Sequence, residues 1–355
     1  MKGEYEMTPV RYIDLFAGVG GFRYAVQTAA EEAGLAAECV FSSEIDKECQ
    51  RVYQENFAEM SHGDITAIPA ASIPEHDLLL AGFPCQPFSI IGQRKGFQDA
   101  RGTLFFEIAR ILEAKKPAAF VLENVKLLAG HNNGETLKII LDILQELGYH
   151  SGYKILNALN FGLPQKRERI FIVGFRDSCS FNWPVEKIPM QPLKEILEKN
   201  VAASYFASDH IRKKRLSQKQ PSIEPTIWHE NKSGNISAYP FSCALRAGAS
   251  YNYLLVNGER RLTAREMFRL QGFPEEFKII SSYAQARKQA GNSLPVPVAK
   301  AVIRNVLEAC GWITEHANRT AVRQLNLFAR RNYDEIAKTA DGGKISPALS
   351  AQQIS

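Results

Sequence analysis

The chain has 355 residues, 45% of them hydrophobic and 23% charged, which is ordinary for a protein with a substantial core and suits one large domain or two unequal ones. A net charge of +5 permits a nucleic-acid partner without demanding one. No apolar run approaches the ~20 residues of a membrane span, the start Met1-Lys2-Gly3-Glu4 lacks an apolar signal segment, and the cysteines at 39, 49, 85, 179, 243 and 310 form no C-x-x-C pair, which argues against a metal site or disulfide framework and for a reducing, cytoplasmic setting.

In chain order, Val10–Phe16 reads as a buried strand running into Ala17-Gly18-Val19-Gly20-Gly21, with a helix over 22–33. The run 38–43 is a second strand ending at Glu44, followed by a helix near 46–56 and a short strand ending at Gly63-Asp64-Ile65. Asp77–Ala81 is a strand entering the loop Gly82-Phe83-Pro84-Cys85-Gln86-Pro87-Phe88-Ser89. A helix near 103–114, the strand 118–122 ending at Glu123-Asn124-Val125, a helix near 134–147 and the strand 170–175 complete the series. Strand and helix alternate, so an α/β fold is expected, with a mostly parallel sheet covered by helices on both faces.

Ligands of such sheets sit outside the carboxyl ends of the strands. The ends here are Phe16 to Gly21, Glu44, Asp64, Cys85 and Glu123, and one crevice should collect them. The first turn fails the dinucleotide pattern G-x-G-x-x-G, because the sixth position from Gly18 is Arg23. It still admits close backbone approach, and Glu44 follows at a spacing suited to a ribose diol. An adenosine ligand without a pyrophosphate fits, which points to S-adenosylmethionine. Cys85, between two prolines at a strand end, reads alone as a small buried cysteine or as a nucleophile in a stiffened turn. Glu123 and Arg169 likewise read singly as a helix cap and a surface ion pair.

Residues 178–258 are rich in Pro, Ser, Asn and Lys, show weak periodicity and include the basic run 212–215, which reads as a solvated face. Helical periodicity returns at 262–270, and Gly291-Asn292-Ser293 leads into a helix through about 309. The polar tail beyond 331 is expected to be disordered.

Six blocks, in order, carry a resemblance. They are Asp14 to Arg23, Gly82 to Ser89, Glu123-Asn124-Val125, Gln165 to Arg169, Arg265 to Pro274 and Gly291-Asn292-Ser293. Together the chain closely resembles the DNA (cytosine-5) methyltransferases of bacterial restriction–modification systems, over roughly residues 8–310. The resemblance implies a Rossmann-like S-adenosylmethionine-dependent catalytic domain over 1–176, a smaller irregular target-recognition domain over 177–290, a return to the catalytic domain over 291–312, a helical extension over 313–331 and a tail over 332–355. It implies Cys85 as the nucleophile at cytosine C6, Glu123 at N3, Arg169 at O2, and Arg167 supporting the loop or contacting phosphate. S-adenosylmethionine would be surrounded by Phe16, Gly18, Gly20, Glu44, Ile45, Asp64, Ile65, Pro84, Leu104, Asn292 and Ser293.

The target atom lies inside a duplex, so the base must be flipped out. Residues 89–101 read as a lid, with Ser89, Gln93, Lys95 and Arg101 toward double-stranded DNA. The family's late Thr-Leu pair is here Ala244-Leu245, so the contact made there must differ; Leu245 and Arg246 are the candidate DNA contacts. A monomer working beside a separate cognate endonuclease, at the nucleoid, is the simplest expectation. Alternatives are a tRNA cytosine methylase on the same scaffold, a catalytically silent DNA-binding regulator, and a nicotinamide-dependent oxidoreductase, the last disfavoured by Arg23.

Overall fold

The computed structural model describes residues 8–84, 104–185, 187–219, 224–231 and 233–313. Cys85, Ser89, Gln93, Lys95, Arg101, the expected lid and the expected extension and tail beyond residue 313 lie outside the described residues.

A six-stranded sheet runs in the order β2-β1-β3-β4-β7-β5. Its strands are β1 (Val10–Leu15), β2 (Ala37–Ser43), β3 (Leu78–Gly82), β4 (Ala119–Val125), β5 (His150–Asn157) and β7 (Glu168–Phe175), with the two-residue β6 (Gln165–Lys166) just before β7. The four strands from β2 to β4 are parallel. The central β3 and the first four residues of β4 are apolar, because successive side chains face opposite helical layers. Leu78 and Leu80 enter one core with Ala119 and Val121, while Leu79 and Ala81 enter the other with Phe120 and Leu122.

The first core is closed by α1 (Gly21–Glu32) and α8 (Val296–Ala309), the second by α3 (Leu104–Lys115) and α4 (Glu135–Glu146). The helix α2 (Lys47–Phe57) follows β2 and is capped by the Asp46 carboxylate, which accepts from Glu48 and Cys49 N–H.

Two expectations change, one at each edge of the sheet. The strand over 168–175 is antiparallel to β4, and β5, which the alternation did not reveal, forms the sheet edge beside it. The short strand expected at 63–65 reduces to one bridge, Ser43 with His62; Asp64 then caps a single helical turn over Ile65–Ala67.

Residues 178–258 are more ordered, where described, than their composition suggested. They hold α5 (Asp209–Gln218) and a three-stranded sheet of β8 (Ile227–Glu230), β9 (Ile236–Tyr239) and β11 (Leu254–Val256). A two-residue strand β10 (Ser242–Cys243) pairs with β6. The helix α6 (Ala264–Gln271) begins with a reciprocal cap between Thr263 and Glu266 and ends at Gly272. The helix α7 (Tyr283–Asn292) follows. Phe273 and Phe277 pack on Tyr24 of α1, and Asn56 of α2 exchanges two hydrogen bonds with Lys278. The chain is therefore packed on α1 and α2 before residue 291.

Candidate active site

The loop between β1 and α1 is shaped by three positive φ angles, at Phe16 (57°), Gly18 (57°) and Gly20 (91°). The two glycines serve different ends. A Cβ on Gly18 would meet nothing within 4 Å, so this residue leaves an open floor; a Cβ on Gly20 would stand 2.2 Å from the Phe57 ring. Gly20 therefore packs tightly against Phe57, whereas Gly18 lines the adjoining cleft.

Glu44 ties the loop to the end of β2. Its Oε2 accepts from Gly18 N–H at 2.8 Å and its Oε1 from Asp46 N–H at 2.7 Å. Below the loop, Asp14 is fully buried, and neither of its oxygens meets a donor at hydrogen-bond geometry among the described residues. Burial pushes this carboxyl up to about 8, with Arg23 only partly opposing it. Arg23, the residue that breaks the dinucleotide pattern, turns away to pair with Glu59 at 2.7 Å.

The carboxyl ends of the parallel strands open into one cleft of about 720 Å³. Phe16, Gly18, Glu44, Ile45, Asp64, Ile65, Pro84, Leu104, Glu123, Arg169, Asn292 and Ser293 all line it. Ile45 is 67% exposed there, an apolar side chain with an uncovered face. Asp64 spends one oxygen on Thr66, accepting from its N–H and its hydroxyl. An open glycine floor, an anchored carboxylate, an uncovered apolar face and a second acidic side chain suit an adenosine-bearing ligand.

Glu123 and Arg169 face each other at the end of β4, with Arg169 Nε 2.8 Å from Glu123 Oε1. Burial raises the Glu123 carboxyl, while Arg169 and then Arg167 pull it back down. Asn124 fastens the mouth of the Cys85 loop by donating from Nδ2 to the Phe83 carbonyl at 2.9 Å.

Arg167 does not reach the cleft. It is fully buried, and its guanidinium donates to the carbonyls of Leu245 (3.0 Å), Gly291 (2.9 Å) and Ser293. Of its two expected roles, this arrangement is the one that supports the loop. Leu245 is 4% exposed and belongs to the core. Its N–H is held by Gln165 Oε1 at 3.0 Å, and Gln165 Nε2 donates to the Leu270 carbonyl. Gln165 lay within a quoted block, yet its role as a fully buried tie is visible only in three dimensions. Arg246, by contrast, is exposed at the loop surface. Lys288, unremarked in the sequence, lines the cleft and pairs with Asp46 at 2.7 Å.

The chain matches a family model described as C-5 cytosine-specific DNA methylase over residues 10–308. It is 56% identical over 292 residues to the Type II methyltransferase M.NgoBI of Neisseria gonorrhoeae, covering 81% of this chain and 90% of that protein. It is 53% identical over 311 residues to the Type II methyltransferase M.HaeII of Haemophilus aegyptius, covering 87% and 96%. Among solved structures, the S. pombe Dnmt2 methyltransferase superposes with a TM-score of 0.64 at 22% identity, over 85% of this chain and 99% of that one, a likeness of fold. With 10–308 matched and identity above one half to bacterial Type II methyltransferases, this chain belongs to the C-5 cytosine-specific DNA methylase family and is a DNA (cytosine-5) methyltransferase.

Proposed function

We propose that the protein methylates one cytosine within a specific duplex DNA sequence, taking the base out of the helix and holding it covalently through Cys85. S-adenosylmethionine is the methyl donor of this reading, and when bound it supplies an electrophilic methyl group. Phe16, Gly18, Glu44, Ile45, Asp64, Ile65, Pro84, Leu104, Asn292 and Ser293 would hold it. Glu44 would take the ribose diol, Asp64 the adenine amino group, and Ile45 with Ile65 the faces of the ring. The observation that carries the proposal is the single cleft, in which these residues share a wall with Glu123 and Arg169.

The chain's own groups define the chemistry. The C5 carbon of cytosine is a poor nucleophile. Addition of the Cys85 thiolate at C6 moves electron density to C5 and N3. Glu123, its proton favoured by burial, donates at N3 as negative charge develops, and Arg169 steadies the O2 side of the ring. Once C5 carries the methyl group, a base removes the C5 proton, the C6–S bond breaks and the N3 proton returns to Glu123, restoring the thiolate and the neutral aromatic ring. Residues 89–101, including Ser89, Gln93, Lys95 and Arg101, would close over the extruded base, and Arg246 would meet the DNA beside it. A monomer protecting the host's sites against a separate cognate endonuclease, in the cytoplasm, is the setting this activity suits.

The test is to incubate the protein with labelled S-adenosylmethionine and either duplex DNA or tRNA, and to map the product by bisulfite sequencing. Label at C5 of one recurring cytosine in DNA, lost in Cys85→Ala, is expected. Label confined to tRNA would overturn the reading.

A further inference from the structure

Beyond the cleft, the recognition region presents an arrangement of arginines on tyrosines that the catalytic account leaves unused. Arg287 of α7 lies 4.3 Å from the centre of the Tyr251 ring, and Arg261 lies 5.7 Å from the same ring and 5.6 Å from that of Tyr283. The two guanidiniums thus flank one phenol. Tyr251 is 45% exposed and stacks on Tyr283 at 6.1 Å. One step nearer the cleft, Arg246 lies 4.8 Å over Tyr253, whose hydroxyl accepts from Arg246 N–H at 2.9 Å.

None of these three arginines has a carboxylate within ion-pair distance among the described residues, although most other described arginines do. Their protein partners are carbonyls and rings. Arg287 Nη1 donates to Ala249 O at 2.7 Å and Arg261 donates to Ser204 O. Stacking fixes each planar fork while leaving its charge unneutralised. Like charges set around one aromatic cluster repel, and an external polyanion relieves that repulsion.

The position selects which polyanion. The loop Arg246–Ser250 rests on α7 so closely that a Cβ on Gly291 would meet Ala247 N at 2.4 Å, and Gly291 lines the cleft. Arg246 therefore sits in a loop that abuts the cleft wall, and Arg287 lies on the same helix as the cleft-lining Lys288 and Gly291.

We propose that Arg261 and Arg287, held on Tyr251 and Tyr283, grip consecutive phosphates of the DNA strand flanking the target cytosine. This rests on the reading of the protein as a duplex-DNA methyltransferase and adds where the backbone runs. Phosphate contacts set register and orientation and carry no base information. Each phosphate neutralised contributes about −0.9 to the slope of log affinity against log salt.

The experiment measures equilibrium binding of the full chain to a duplex carrying its methylated site, and to a scrambled duplex, across a salt series. Arg261→Gln and Arg287→Gln should each make the slope shallower by about 0.9, so that affinity lost between about 50 and 200 mM salt shrinks roughly three- to four-fold per variant. Both duplexes should be affected alike. Arg287→Lys keeps the charge while breaking the stack, and should keep the wild-type slope; a merely structural role would disturb Gln and Lys variants equally. Unchanged slopes in both Gln variants, or a loss confined to the methylated site, would overturn the proposal. The slope is read from binding alone, so it is measured whether or not methyl transfer is detected, and failure of one reading is told apart from failure of the other.

Discussion

Arg169 and Glu123 meet at 2.8 Å because β4 and β7 are antiparallel and paired so that Val125, not Glu123, sits opposite Arg169. The diagonal offset of two residues leaves both side chains on one face of the sheet, at the end that opens into the cleft. A parallel strand at this position would place residue 169 at another height. The antiparallel edge is thus part of the site's construction.

That contact predicts a pH dependence. Burial raises the Glu123 carboxyl and Arg169 lowers it. The proposed donor at N3 is the protonated acid, so turnover should fall as pH rises through the folded-state value. Glu123→Gln should lower kcat by about 10²- to 10⁴-fold and flatten that limb. Arg169→Gln removes the opposing charge, so the limb should move to higher pH even as the KM for DNA rises. A pH–rate series on duplex DNA checks all three; a limb moving to lower pH in Arg169→Gln would contradict the assignment.

The two glycines of the first turn should separate in their effects. Gly20→Ala meets the Phe57 ring at 2.2 Å with φ at 91°, and should lower the melting temperature while costing more than about 1 kcal/mol. Gly18→Ala has open space around it and should fold with a backbone penalty of about 1–2 kcal/mol. Its methyl group occupies the cleft floor, so the KM for S-adenosylmethionine should rise more than it does in Gly20→Ala.

Removing Arg167 should loosen two distant segments together. Arg167→Met leaves the carbonyls of Leu245 and Gly291 without their side-chain donor, at about 1–3 kcal/mol for each one unsatisfied, while Ser293 O keeps Gln271 Nε2. Arg167→Lys should not rescue it, because an ammonium lacks the planar fork that spans three acceptors. Thermal unfolding and hydrogen exchange at 245–250 and 291–293 provide the readout, and protection lost at only one segment would refute the linkage.

Asp14 supplies a stability signature. A carboxyl raised from 3.8 to about 8 holds its proton in the folded state where the unfolded chain has lost it. Its stabilising effect is complete below about pH 4 and is lost as pH rises toward 8. Asp14→Asn should therefore flatten the fall in melting temperature across that window, and an unchanged pH slope would show that the carboxyl is ionised in the fold.

Much of this was legible in the residues. The central strands β3 and β4 announce themselves as apolar runs because both of their faces are buried, and the carboxyl ends of β1, β2 and β4 lead to the cleft residues Phe16, Glu44 and Glu123. The strand β5 was not legible, since as an edge strand it is largely solvent-facing and mixed in character, with Tyr153 46% exposed. The helix α7 was hidden for a related reason, as only Ala286, Gln289, Ala290 and Gly291 of it are buried and two of these lack apolar bulk. The strands of the recognition sheet run only three or four residues, too few for a period to show. Spacing named Gly18 and Gly20 together, but only packing distinguishes the open one from the one pressed on Phe57. Arg167 and Leu245 were recognised as part of the machinery, and only the fold shows that both are buried.

The central claim is covalent attachment of Cys85 to C6 of an extruded cytosine, and trapping it is the most direct measurement. The protein is incubated with S-adenosylmethionine and a duplex bearing 5-fluorocytosine at the methylated position, where fluorine cannot leave as a proton does. The account predicts a complex that survives denaturation, whose cross-linked peptide contains Cys85, and none in Cys85→Ser. Methyl transfer to ordinary DNA without any such complex, or a cross-link at a different residue, would contradict it.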